Sequence, residues 1–162
     1  MSKPKVFLLD AHGICYRAFY AVKSLANSKG QATNAVFGFT NILKKLMRDF
    51  RPEYMAACFD VGKKTLRQEQ FADYKIQRQS MPEDLRSQIP LIREVLKAYQ
   101  IPIFEKEGYE ADDVMATLAR QATSQKAEVV IVSDDKDLCQ LMSKGIEVYS
   151  ARQEKMLTDD DI

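Results

Sequence analysis

Val129-Val130-Ile131-Val132-Ser133-Asp134-Asp135 is the most strand-like run in the chain, four apolar residues that end abruptly in acid. Val6-Phe7-Leu8-Leu9 repeats the pattern as a buried strand and runs into Asp10. Tyr54 to Phe59 repeats it again and runs into Asp60. Ile101 to Phe104 is a short extended piece, and Ile146-Glu147-Val148-Tyr149 is a final strand. Between these runs the hydrophobic period changes from continuous to helical. About Ala35 to Phe50 places Val36, Phe39, Ile42, Leu43 and Leu46 on one face, with Asn34 positioned to cap it. Ser80-Met81-Pro82-Glu83 has the form of a capping box and opens a helix to about Tyr99. Glu110 to Thr123 carries Ala111, Val114, Met115, Leu118 and Ala122 at helical spacing, and Asp137 to Ser143 reads as a short helix. Strands alternating with helices predict an α/β fold, a mainly parallel central sheet with helices on both faces.

The bulk numbers agree with one globular domain over residues 1–162: 46% of the residues are hydrophobic, 29% charged, and there are 6 Gly and 5 Pro. Basic and acidic residues nearly cancel, 24 against 23, so net charge announces no partner. Cys15, Cys58 and Cys139 stand singly among apolar neighbours. An odd count without Cys-x-x-Cys spacing argues against disulfides and zinc, and for core thiols in a reducing cytoplasm. The apolar run after Met1-Ser2-Lys3-Pro4-Lys5 is far too short for a signal peptide or a span, so no membrane is expected. Thr158-Asp159-Asp160-Asp161 looks like the start of a helix with almost no chain left to form it, which suggests a piece of something longer.

The acids carry the chemistry. Asp10 and Asp60 end strands, Asp135 and Asp137 follow another, and Glu110, Asp112 and Asp113 open a helix. Singly, each has a structural explanation, as a turn residue or as a favourable charge at a helix N-terminus. Together they should converge, because the carboxyl ends of parallel strands lie on one edge of the sheet, where ligands bind. Seven like charges in one crevice repel unless cations neutralise them, and their only basic neighbours in sequence are Lys136 and Arg17. Oxygen donors without Cys, and with a single histidine in the chain, suit Mg²⁺ or Mn²⁺. The number of acids exceeds what one ion uses, which points to a pair of ions. His12 reads as a loop residue beside the site rather than as a ligand.

Residues 61–80 break the strand–helix rhythm. Lys63, Lys64, Arg67, Lys75 and Arg78 outnumber Glu69 and Asp73 there, and Phe71 and Tyr74 are interleaved. A basic segment overhanging a pool of acid is the layout of an enzyme that grips phosphates at the flank and cuts at a metal. The structural reading of the same stretch is a solvated loop.

At this point the residues resemble a known family. VFLLDAHGICYRAFYA (6–21), TNAVFGF (33–39), ACFD (57–60), YKIQR (74–78), MPEDL (81–85), GYEADDVMATLA (108–119) and SDDKDLCQL (133–141) are similar to the flap endonuclease family of 5' nucleases, with its PIN-like sheet, in the form fused to bacterial DNA polymerases. The resemblance implies that Asp10, Asp60 and Asp112 serve a first metal. Glu110, Asp135 and Asp137 would lie between it and a second, with Asp113 in the same set. It implies that Arg17 and Tyr16 lie near the scissile phosphate, Tyr16 stacking on a base. Lys75 and Arg78 would belong to a helical arch passed by a 5' single strand, where Lys75 offsets charge developing on the phosphate. Lys63, Lys64 and Arg67 join the DNA-binding set. Ala-His-Gly after Asp10 departs from the Gly followed by small polar residues that the family often has there. The family's helix–three-turn–helix module, its further metal ligands and the polymerase are not in this sequence, so the second metal site is expected to be incomplete.

The expected function is metal-dependent hydrolysis of DNA at 5' flaps and 5' ends, including RNA primer strands, by a monomer covalently linked to a polymerase in its parent and working in the cytoplasm at the nucleoid. Two alternatives stay open: a PIN-type ribonuclease, and a fragment that binds metal and DNA without cleaving. An Asp-x-Asp phosphatase is excluded, because position 12 is His12.

Overall fold

The strands pair as one sheet in the order β3-β2-β1-β4-β5-β6 in a computed structural model that describes residues 2–62, 66–71 and 79–161. β1 (Lys5–Asp10), β2 (Tyr54–Cys58), β3 (Ile103–Phe104), β4 (Glu128–Val132) and β5 (Ile146–Ser150) are parallel. β6 (Lys155–Met156) pairs antiparallel with β5 at the edge, so the run at 146–149 is not the last strand. The chain builds outward from β1 in one direction through β2 and β3, then returns to β1's other side with β4. The order reverses between β1 and β4, the position at which open α/β sheets bind ligands.

Alternation along each strand divides the core in two. Phe7, Leu9, Val130 and Val132 point to one face, where α1 (Ala11–Ala21), α2 (Asn34–Phe50) and α5 (Ile89–Ala98) bury Ile14, Ala18, Phe39, Leu43, Leu46, Ile92 and Leu96. Leu8, Cys58, Val129 and Ile131 point to the other, against Ala111, Met115 and Ala119 of α6 (Ala111–Ser124). The three cysteines are free and buried. No described helix is long and apolar enough to cross a membrane. α1 and α2 approach closely at Gly38, where an added Cβ would lie 2.9 Å from the Ala18 Cβ.

Four local expectations are corrected. His12 and its neighbours Ala11 and Gly13 stand in the first turn of α1, not in a loop, because Asp10 is both the last residue of β1 and the N-cap of the helix. The helix expected from 83 to 99 is two: α4 (Glu83–Arg86) and α5, separated at Ser87-Gln88. Pro90 has no N–H to return to the carbonyl of Arg86, and it fits instead in the first turn of α5. Asn34 does not cap α2. It is the helix's first residue, and its Nδ2 reaches back to the carbonyls of Phe19 (2.9 Å) and Val22 (3.4 Å) at the end of α1. The cap comes from wholly buried Gln88, whose Oε1 accepts from the N–H groups of Ala35 (2.7 Å) and Val36 (3.1 Å). The stretch expected as a helix from 137 is a 3₁₀ turn, Lys136–Leu141.

Candidate active site

Register brings the strand ends level. Leu9 pairs with Val132 and Asp10 with Cys58, so Ser133 stands beside Asp10 and Asp60 lies two residues beyond. Asp10 is 8% exposed. Its Oδ1 accepts from the N–H of Gly13 (3.1 Å), capping α1, and its Oδ2 from the hydroxyl of Ser133 (2.7 Å). A Cβ at position 13 would lie 2.3 Å from Oδ2, so any larger residue there would push the Asp10 carboxylate out of place. The Ser133 Oγ also accepts from Asp135 N–H (3.0 Å), and Asp135 Oδ1 accepts from Asp137 N–H (2.9 Å) as the cap of the 3₁₀ turn.

Asp60 joins this group from the other side. Its Oδ1 accepts from the N–H of Ala111 (2.7 Å) at the mouth of α6, and its own N–H donates to His12 Nδ1 (3.2 Å). At that mouth Glu110 is the N-cap, 6% exposed, and its N–H donates to Asp113 Oδ2 (3.1 Å). Arg67, in the short helix α3 (Leu66–Gln70), bridges the pair, Nη1 to Glu110 Oε2 at 3.2 Å and Nη2 to Asp113 Oδ1 at 2.9 Å.

The result is a cleft of about 500 Å³ lined by Asp10, Asp60, Glu110, Asp112 and Asp135, together with Asp134, His12 and Tyr16. Five of the seven predicted carboxylates therefore meet. Asp113 and Asp137 are not among the lining residues; the first completes the cap of α6 and the second lies in the 3₁₀ turn. Tyr16 faces the cleft and stacks on Tyr20, ring centroids 6.5 Å apart. Arg17 is half-buried on α1 and does not line it. Lys63, Lys64, Lys75, Arg78 and Tyr74 fall outside the described residues.

Crowding has an electrostatic consequence. Burial, followed by the charges of Asp10, Asp135, Asp60 and Glu110, pushes the Asp112 carboxyl up to about 7. Burial also raises Asp10, against the Ser133 hydroxyl and Gly13 N–H that favour its ionised form. A divalent cation relieves both, and the lining supplies the oxygen donors that hard cations take. Among the described residues no three candidate ligands are already gathered into a cage.

Sequence reasoning passed over several participants. Ser133 and Asp134 stand in the quoted SDD segment but lack a pattern of their own. Asp134 Oδ1 accepts from the hydroxyl of Ser150 (2.6 Å) and the N–H of Arg152 (3.1 Å), tying the turn after β5 to the cleft. Arg67 is the basic neighbour that the linear reading placed on DNA alone.

Residues 5–162 match the family described as 5'-3' exonuclease, N-terminal resolvase-like domain. The chain is 46% identical over 157 residues to DNA polymerase I of Geobacillus stearothermophilus, covering 97% of this chain and 18% of that protein. It is 41% identical over 157 residues to a 5'-3' exonuclease of Aquifex aeolicus (strain VF5), covering 97% of this chain and 54% of that one. It thus spans about half of one relative and under a fifth of the other. The structure of T5 5'-exonuclease with bound divalent metal ions (zinc) superposes with a TM-score of 0.72 at 20% identity, over 94% of this chain and 57% of that chain, which speaks for the fold. Its sheet, its acid-lined carboxyl edge and a match running from residue 5 to residue 162 lead to one assignment: the chain belongs to the family of 5'-3' exonuclease N-terminal resolvase-like domains.

Proposed function

We propose that this chain is the catalytic part of a divalent-metal-dependent, structure-specific 5' nuclease that hydrolyses DNA phosphodiester bonds at 5' flaps and 5' ends. One observation carries the reading. Carboxylates from four separate stretches line one cleft at the switch point of the sheet, crowded enough to push Asp112 up to about 7. The names of the relatives agree, and a T5 flap endonuclease of the same fold is known in complex with DNA and metal ions.

Asp10, Asp60 and Asp112 would hold one Mg²⁺ or Mn²⁺ ion, and Glu110 and Asp135, with Asp137 nearby, would contribute to a second. Ions bound there would supply an activated water and neutralise charge on the phosphate under attack. The chain's own residues do the rest. Ser133 and the Gly13 N–H fix the direction of the Asp10 carboxylate. Tyr16 offers a ring to a base at the cleft wall. Arg67, Lys63, Lys64, Arg78 and, on α1, Arg17 would grip phosphates, while Lys75 would offset charge that develops on the scissile one. The cellular substrates are then displaced strands and RNA primers met in replication and repair at the nucleoid, and the linked partner is a polymerase like that of the longer relatives.

The test is incubation of the 162-residue protein with labelled 5'-flap DNA, with and without Mg²⁺ or Mn²⁺, beside an Asp112→Ala control. Metal-dependent cleavage near the flap junction, absent in the control, is the expected result. The share of the Aquifex exonuclease that the chain covers, 54%, favours one second reading, an intact metal site whose DNA grip is too weak for cleavage. Mn²⁺ uptake that Asp112→Ala abolishes, without cleavage, would select it. Neither cleavage nor uptake would sink the metal site itself.

A further inference from the structure

Asp60 lies beyond the last paired residue of β2, in a turn that continues through Val61 and Gly62, and part of what braces that turn lies outside the cleft. The residue before it, Phe59, is fully buried and extends the ladder by one bond, its N–H donating to the carbonyl of Phe104 at 3.0 Å. Arg93 of α5 lays its guanidinium over the Phe59 ring, 4.3 Å from the centroid. Glu105, just past β3, holds Arg93 there, with Nη2 to Oε2 at 2.6 Å and Nη1 to Oε1 at 3.4 Å. The His12 ring meets Phe59 edge-on, centroids 5.2 Å apart and planes at 80°. His12 Nδ1 then lies 3.2 Å from Asp60 N and 3.3 Å from Asp60 Oδ2. These two contacts belong to different protonation states: the backbone N–H needs a lone pair on Nδ1, the carboxylate needs a proton on it. Either way His12 is tied to Asp60 and to no other acid of the cleft by a described bond.

We propose that His12 and Arg93 are positioning residues for Asp60. Arg93, pinned by Glu105, braces the ring of Phe59, and His12 anchors the Asp60 backbone from the first turn of α1, so that Oδ1 stays on the Ala111 N–H while the rest of the carboxylate faces the cleft. The inference rests on the reading of that cleft as a divalent-ion site. Small, hydrated ions demand near-ideal geometry, and residues that orient a ligand commonly change metal affinity by about 10–100-fold when removed. His12 thereby acquires a task without being a ligand, and Arg93 acquires one without touching the cleft.

The experiment is Mn²⁺ binding to the 162-residue chain, followed by calorimetry and by the electron paramagnetic resonance signal of free ion. It compares the parent with His12→Leu, His12→Asn, Arg93→Met and Asp112→Ala, each checked for folding by circular dichroism. His12→Leu should weaken uptake by about 10–100-fold. His12→Asn should return it close to the parent, because the amide can accept from the backbone or donate to the carboxylate. Arg93→Met should weaken uptake less than His12→Leu, since it acts through Phe59; should that variant fail to fold, the His12 pair still decides. Parent-like uptake by His12→Leu, with Asp112→Ala inactive in binding, overturns this proposal and leaves the metal site standing. Equal weakness in the leucine and asparagine variants overturns it as well. Uptake that survives Asp112→Ala overturns the metal reading, and this inference with it.

Discussion

The mouth of α2 and the mouths of α1 and α6 solve the same problem in opposite ways. A helix start leaves backbone N–H groups that need acceptors. At α2 the acceptor is Gln88, 53 residues away from Ala35 and fully buried. Its Oε1 takes two N–H groups, and its Nε2 donates to Asn34 Oδ1 (2.9 Å) and the carbonyl of Asp84 (2.8 Å). A neutral amide has two lone pairs and two protons to offer, and all four are engaged. At α1 and α6 the caps are carboxylates, Asp10, Asp60, Glu110 and Asp113. A carboxylate that accepts one or two hydrogen bonds keeps further lone pairs and its whole charge. The neutral cap therefore closes its helix end and does nothing more, whereas the charged caps close theirs and leave a negative cleft behind.

Substitutions can pull the two kinds of cap apart. Asp10→Asn gives the largest expected effect. Asparagine is as good an N-cap as aspartate: its Oδ1 can still accept from Gly13, and its Nδ2 would donate to the Ser133 hydroxyl oxygen in place of accepting from it, so the melting temperature should stay close to the parent's. The charge is gone, however, and flap cleavage should drop on the order of 10²–10³-fold, the scale of losing one transition-state electrostatic contact. A cleavage rate equal to the parent's would mean that the Asp10 charge serves only the fold. Gln88→Met is the converse. It strips the acceptor from Ala35 and Val36 in a buried place and should cost about 1–3 kcal/mol in urea unfolding. Mn²⁺ uptake by the folded fraction should be unchanged; a parallel loss would tie the α2 cap to the cleft.

The smallest effect is a slope with pH. The Asp112 carboxyl stands at about 7 in the folded chain against an ordinary 3.8. Between those values the folded chain holds a proton that the unfolded chain releases, so the stability linked to this group is present below about pH 4 and is lost as pH rises through 7. In the presence of a chelator, the melting temperature of the parent should fall relative to Asp112→Asn across that window, by about 2–4 °C for each kcal/mol at a chain of this size. Parallel curves would show that the acids are less crowded than the cleft geometry implies.

Part of this was open to a reader of the sequence alone. The strand runs ending in Asp10 and Asp60, and the one ahead of Asp135, combine apolar continuity with an abrupt acid, and both features are local. α1 escaped because Asp10 ends a strand and caps a helix at once, with no turn residues between them to mark the change. The break between α4 and α5 has a local mark in Pro90, which lacks the N–H that a continuous helix would use there. Asn34 had the chemistry of a cap but stands as the first residue of α2, and Gln88 took the task; no linear rule connects residues so far apart. Asp113 and Asp112 are neighbours of the same type; one completes the helix cap and the other lines the cleft, and helical rotation alone separates them.

The sequence by itself determined the alternation of strands and helices, the parallel sheet and the gathering of acids at one edge of it, because hydrophobic period and side-chain branching act over a few residues and parallel topology puts every strand end on the same side. Only the tertiary structure decided which acid does what. Whether a carboxylate faces the cleft with charge to share depends on which donors reach it: Ala111 N–H crossing 51 residues to Asp60, the Ser133 hydroxyl crossing 123 to Asp10, and Arg67 crossing 43 to Glu110. Hydrogen bonds are short and directional, and their partners are chosen in space.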